Sequence, residues 1–460
     1  MNSFVIHVRP WNAELSIALR AALRAMYPQA RVELVTLFRE ARWAIERAGL
    51  PVIDLLERIR AYEHAPPAVE AATKRLASDF DAALVARKGY GLNYLLATER
   101  FRPAGREATE RFKLSHLAAL SDVIGHGTRV ISFTLDHFVY WLSAELACWR
   151  GGDNMSFMPF GVPQGRLACL RDPYTFHPGR PVAPAIAMDL LRQNTERLSL
   201  PMAERLTYMR QVRPPSRLRR IRSILRRRWA ARTERKLGNY FFTQPKGQRF
   251  GVGAYEPTIK EATDLAGPFV YYPLHLDPEM TTIMLSAEFP NQAEVVRLLS
   301  QQLPTGYRLL VKENPKMIGR RPADYYRRLT CLPGVELVAI QLEGQRIVER
   351  AEYTVSLSGT AAFEALLSGR KSLVLGRPPH RQLLRYHSFG LNRPVGQLSR
   401  LLREDWEVEV NEAAWQRVIE ATIDLEIYPR MDSDSGELEV PQHERAAQEI
   451  AHFIFNARSE

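Results

Sequence analysis

The chain has 460 residues, 46% hydrophobic and 25% charged, the composition of a soluble globular protein with room for two or three cores. Its three cysteines, Cys148, Cys169 and Cys331, make no CxxC pair and no cysteine–histidine cluster, which argues against a disulfide framework or a zinc site and for a reduced, cytoplasmic setting. The net charge of +12 is local, because residues 213–236 hold eleven Arg and Lys against the single acid Glu234 and the rest of the chain carries only +2.

The N-terminus, MNSFVIHVRPWNAE, lacks a basic region followed by a long apolar run, so no cleaved signal is expected. SFVIHV (3–8) and RVELVTLF (31–38) read as strands, with helical spacing over 13–26 and 40–48 and a third short run, PVIDLL, from Pro51. Residues 66–120 read as mostly helical. RVISFTL (129–135) is a buried strand followed by a helix, and MSFMPFGVP and RLACL are further extended pieces before a helix from about Ala183. The most apolar window, 130–149, contains Asp136, His137 and Glu145, too polar for a spanning helix.

A second alternating block begins at GPFVYYPLHL (267–276). It continues through helix 292–303, strand YRLLVKE, helix 323–329, strand VELVAI, helix 344–350, strand YTVSLS, helix 361–367 and strand SLVLG. Strand–helix alternation predicts two Rossmann-like α/β domains with parallel sheets, a basic helical segment between them and a helical tail. The expected division is 1–211, basic segment 212–245, 246–410, and tail 411–460 returning towards the first domain. Ligands of such sheets bind outside the carboxyl ends of the strands, so the expected site is a cleft between the two domains.

Four strand ends carry candidate chemistry. In SLSGTAAFEALLSG, Ser358, Gly359 and Thr360 stand before a helix, where backbone N–H groups and hydroxyls can hold a phosphate; a plain helix cap is the competing reading. Glu364, one turn on, faces either a ribose or solvent. In LLVKENPKM, Lys312 and Asn314 can donate to a phosphate or base, or simply form a polar loop. In LHLDPEMTT, Asp277-Pro278 fits a helix start, leaving His275 and Glu279 for function or, for the histidine, for the core. In FTLDHFVYW, Asp136 and His137 can serve as a general base, with N-capping by Asp136 as the alternative, and His126 between two glycines has similar potential. No DxD-like motif lies at a strand end, so no metal and no cofactor is expected.

LHLDPE, VKENPKM and SLSGTAAFEALLSGRKSLVLG, in that order and spacing, resemble the bacterial capsule polysaccharide biosynthesis proteins. These are nucleotide-sugar-dependent GT-B glycosyltransferases that include the capsule Kdo transferases. The resemblance covers about 270–376 well and the first half only in outline. It implies that Ser358, Gly359 and Thr360 hold donor phosphate, that Glu364 lies near the ribose, and that the donor is a CMP- or UDP-type sugar. It implies a polysaccharide or glycolipid acceptor. Where the family usually has His-Pro, this chain has Asn314-Pro315; an amide donates a hydrogen bond but cannot become a cation, and Lys312 is then the nearest source of positive charge. A sugar-nucleotide epimerase and a non-catalytic biosynthesis or export partner are the alternatives.

In SRLRRIRSILRRRWAARTERK, Leu218, Ile221, Leu225 and Trp229 share one helical stripe, with Arg219, Arg222, Arg226, Arg227 and Arg228 around it. Such a helix suits an anionic membrane surface or a lipid-linked acceptor, or packs on the protein with its arginines solvated or lining the acceptor groove. Interleaved apolar residues and the lack of a nucleic-acid module argue against nucleic acid. The expected location is cytoplasmic, peripheral to the inner membrane face.

Overall fold

The computed structural model describes residues 3–97, 105–135, 137–160, 165–199, 255–277, 279–322, 324–384, 399–429, 438–439 and 442–457. Asp136, Pro278 and the whole basic segment, with Arg219, Arg222, Arg226, Arg227, Arg228 and Trp229, lie outside the described residues. The described chain forms two compact units, 3–182 with 417–457, and 183–199 with 255–416. No described helix is long and apolar enough to cross a membrane.

The first unit is built on β1 (Ser3–Val8), β2 (Arg31–Thr36), β3 (Ile53–Asp54), β4 (Arg129–Ser132), β5 (Asp153–Phe160), β6 (Gly165–Asp172), β7 (Thr175–Phe176), β13 (Thr422–Pro429) and β14 (Leu438–Glu439). Strands β3-β2-β1-β4-β5 are parallel in that order, and β6, β13 and β14 extend the sheet antiparallel. Residues Phe4–Val8 are buried without interruption, as a central strand covered on both faces must be. The expected third strand is only two residues long; Asp54 ends it and caps the next helix by accepting from the Glu57 N–H at 3.1 Å.

The tail departs from the all-helical expectation. Between helices Glu412–Glu420 and His443–Asn456, β13 pairs with β6, Thr422 opposite Ala168 and Ile423 opposite Leu167. The alternation of Ile423, Leu425 and Ile427 with Asp424 and Glu426 is a strand pattern, and β6 offers it an open edge. Helix His443–Asn456 packs on helix Ala13–Met26, and Arg129 Nη1 donates to the Ile454 carbonyl at 3.1 Å.

The second unit holds a five-stranded parallel sheet, β10 (Val335–Leu337), β9 (Arg308–Lys312), β8 (Phe269–Pro273), β11 (Tyr353–Ser356) and β12 (Ser372–Val374), in that spatial order. One face buries Val270, Tyr272, Leu309, Val311 and Val355 under helices Gln292–Gln302 and Tyr325–Thr330. The other buries Phe269, Tyr271 and Leu310 under helices Gly344–Arg350 and Ala361–Leu367. Helix Pro184–Ser199 belongs here, so the first unit ends at 182 rather than 211. Trp415, fully buried, ties it in: its indole N–H donates to the Ala187 carbonyl at 2.7 Å.

Candidate functional site

In the second unit the chain leaves β8 to build β9 and β10 on one side, then returns to build β11 and β12 on the other. The loops after β8 and β11 therefore lead from neighbouring strands to opposite faces of the sheet, the position outside which ligands of open parallel sheets bind. The sequence puts LHLDPE in the first of these loops and LSGT in the second. Lys312 ends β9, one strand away, opposite Pro273.

His275 is the link between the two loops. Its backbone is clamped by Gln292, whose side-chain oxygen accepts from the His275 N–H at 2.7 Å and whose amide donates to the His275 carbonyl at 3.2 Å. Its ring Nε2 lies 3.3 Å from Ser356 Oγ and 3.5 Å from the Ser358 amide nitrogen. The Ser358 N–H donates to Nε2, so the proton of the neutral ring sits on Nδ1. Ser356 Oγ in turn accepts from the Gly359 N–H at 3.0 Å. A Cβ on Gly359 would stand 2.8 Å from Nε2, so only glycine lets the loop lie this close to the ring.

Burial pulls the His275 pKa down, the Pro273 carbonyl partly offsets it and the charge of Arg321 adds a smaller lowering, leaving it at about 4. The ring is neutral at pH 7 and only 8% exposed. It lies against the Ser358–Gly359 peptide, in keeping with the core alternative that the sequence leaves open for this histidine.

Thr360 occupies the cap position of helix Ala361–Leu367 but makes no side-chain cap. Its hydroxyl donates to Glu364 Oε1 at 2.8 Å, so the two predicted donor residues are joined to each other. The Asp277 helix-start reading is corrected: the helix begins at Met280, and Asp277 lies 3.5 Å from Arg321 Nη1. Half-buried Glu279 sits just before that helix, its N–H donating to Thr282 Oγ1 at 3.1 Å. Among the described residues the half-buried Lys312 amine has no hydrogen-bond or ion-pair partner, and burial lowers its pKa. Asn314 opens the short 3-10 turn Pro315–Met317, its carbonyl accepting from the Met317 N–H at 2.8 Å.

Two residues to which the sequence assigns no role, Glu313 and Arg321, pair next to these loops. Glu313, 1% exposed, takes both oxygens to Arg321, at 2.9 Å to Nε and 3.2 Å to Nη2. Tyr326 donates to the same carboxylate at 2.8 Å and the Asn314 N–H at 2.7 Å. A glutamate immediately after the buried run LLV was the available signal, since a carboxylate there must find a cation.

The first unit has its own divergence between β1 and β4. His137 stands after β4, at the start of helix Phe138–Trp149, half-buried with its ring 6.2 Å from that of Tyr140. His126 does not share that edge: it precedes β4 and therefore lies at the amino end of the strand. Arg9, which follows β1, holds its guanidinium 5.5 Å from the Phe38 ring and 5.9 Å from the Tyr140 ring. His7 is 2% exposed and bonded to Ser143 Oγ at 2.9 Å, and burial lowers its pKa to about 4.

No protein-family profile matches the chain, and no curated protein matches it. Solved structures do. KpsC of Thermosulfurimonas dismutans, a beta Kdo 2,7 transferase, is similar over 98% of this chain and 99% of its own, with 10% identity and a TM-score of 0.34. HepE (Alr3699) of Anabaena, solved with UDP, is similar over 92% of this chain and 95% of its own, with 10% identity and a TM-score of 0.31. UDP-GlcNAc 2-epimerase of Methanocaldococcus jannaschii is similar over 91% of this chain and 98% of its own, with 11% identity and a TM-score of 0.28.

Proposed function

We propose that the protein is a glycosyltransferase that takes a sugar from a nucleotide-sugar donor and adds it to a surface or capsular polysaccharide acceptor. One observation carries the reading: the two loops that diverge at the switch point of the second sheet are LHLDPE and LSGT, and His275 locks them together. Donor phosphate is assigned to the Ser358–Thr360 loop, whose Thr360 hydroxyl must turn from Glu364 to reach it, with Lys312 supplying positive charge and Asn314 a neutral donor. Glu364, paired with Thr360, is assigned to the ribose.

In the transfer the acceptor hydroxyl oxygen bonds to the anomeric carbon while the bond from that carbon to the donor phosphate oxygen breaks. The electron pair leaves on the nucleotide phosphate, where fixed dipoles and the Lys312 charge stabilise it. The acceptor proton is assigned to Asp136 or His137 of the first unit, and Glu279 remains the carboxylate candidate in the second. The basic segment with Arg219, Arg222, Arg226, Arg227, Arg228 and Trp229 is assigned to an anionic membrane surface or lipid-linked acceptor.

Thermal-shift and calorimetric screening against CMP, UDP, GDP and CDP and their sugars tests the donor site. At least one should stabilise the protein, and stabilisation by none refutes the reading. Ser358→Ala with Thr360→Ala should weaken the bound nucleotide about ten-fold or more, the loss of one or two hydrogen bonds to a charged group.

A further inference from the structure

We infer that Arg321 is a positioning residue for the donor loop, acting on Ser358 and Gly359 through His275; the inference rests on the function proposed above. Arg321 is 5% exposed and lies 46 residues from His275 in the chain. Its guanidinium makes a two-bond fork to Glu313, after β9, and its Nη2 also donates to the His275 carbonyl, after β8, at 2.9 Å. Nη1 lies 3.5 Å from Asp277, and the group sits 4.8 Å from the Tyr325 ring. One planar cation thus fixes the spacing of two adjacent strand-end loops.

A buried ion pair is a poor source of net stability, since apolar residues of similar volume serve as well or better. Its geometric effect is more specific. The His275 backbone has three anchors, two from Gln292 and one from Arg321, and the ring it carries accepts from the Ser358 amide. Gly359 has no slack, because a Cβ there would already be 2.8 Å from Nε2. A shift of the His275 carbonyl is therefore transmitted to the peptide that is to hold phosphate. Lysine cannot substitute, since its three donors radiate from one atom and cannot span Glu313 and His275 in one plane.

The test compares Arg321→Lys with Phe269→Leu, a cavity variant at the amino end of β8, at temperatures chosen for equal fractional stability of the two full-length chains. Hydrogen exchange of the amides of Ser358, Gly359 and Thr360 is the first readout. Arg321→Lys should raise it about ten-fold above Phe269→Leu, the effect of losing one charge-assisted hydrogen bond. Affinity for UDP and CMP is the second, with a similar loss in Arg321→Lys and none in Phe269→Leu. Equal exchange at these amides in the two variants overturns the positioning role. If the unaltered protein binds none of CMP, UDP, GDP and CDP, the proposed function falls, while the exchange comparison still decides the role of Arg321.

Discussion

Gly359→Ala is the sharpest probe of the locked loop. The added methyl would lie 2.8 Å from His275 Nε2, 3.3 Å from Ser356 Oγ and 3.5 Å from His275 Cδ2. The ring cannot retreat easily, because Gln292 holds the His275 backbone from both sides and Arg321 holds its carbonyl. The loop must move instead, and the bonds from Ser358 N–H to Nε2 and from Gly359 N–H to Ser356 Oγ stretch with it. Overpacking of this kind costs about 1–3 kcal/mol, and the displaced backbone should lose nucleotide affinity by about ten- to a hundred-fold. Gly344→Ala is the matched control: its nearest neighbour would be the Tyr271 hydroxyl at 3.7 Å, an ordinary contact at the first residue of a helix. Thermal unfolding and calorimetric titration of the two variants read both quantities. Unchanged affinity and melting temperature in Gly359→Ala, or an equal loss in both, would refute the locked-loop geometry.

The pH dependence of stability should carry a histidine contribution from each unit. His7 titrates near 4 when folded and near 6.5 when unfolded, so only the unfolded state takes up a proton between those values, and stability falls as pH drops through that window. The share of His7 is on the order of 2–3 kcal/mol, and His7→Gln should lose correspondingly less between pH 7.5 and 4.5 in urea titrations; identical losses would contradict the assignment. Trp415→Phe removes the bond to Ala187 and part of the packing on Phe363, whose ring centroid lies 6.0 Å away. A cost of about 1–3 kcal/mol and faster proteolysis within helix Pro184–Ser199 are expected, and wild-type denaturation and cleavage would contradict them.

Much of the second unit was legible because its strands are buried on both faces. Such strands require continuous apolar runs, and FVYY, RLLV and YTVS stand out between helices of matching period. The segment TIDLEIY was equally legible by alternation, yet short helices on either side drew the whole tail into a helical reading. Helix Pro184–Ser199 could not be placed from its own residues, because what assigns it is the indole of Trp415, more than two hundred positions away.

The residues at the strand ends were visible too, since a parallel sheet puts its chemistry there whatever the details. Their partners were not. Nothing local tells that Asp277 turns to Arg321 or that the buried His275 ring accepts from the Ser358 amide. By itself the sequence determined the parallel sheet of the second unit, the parallel part of the first, the order of their motifs and the edge at which those motifs emerge, because apolar burial follows from local period. Only the tertiary structure decided what each polar side chain does, because a hydrogen bond or a lowered pKa depends on atoms brought together across 46 residues between Arg321 and His275 or 83 between His275 and Ser358.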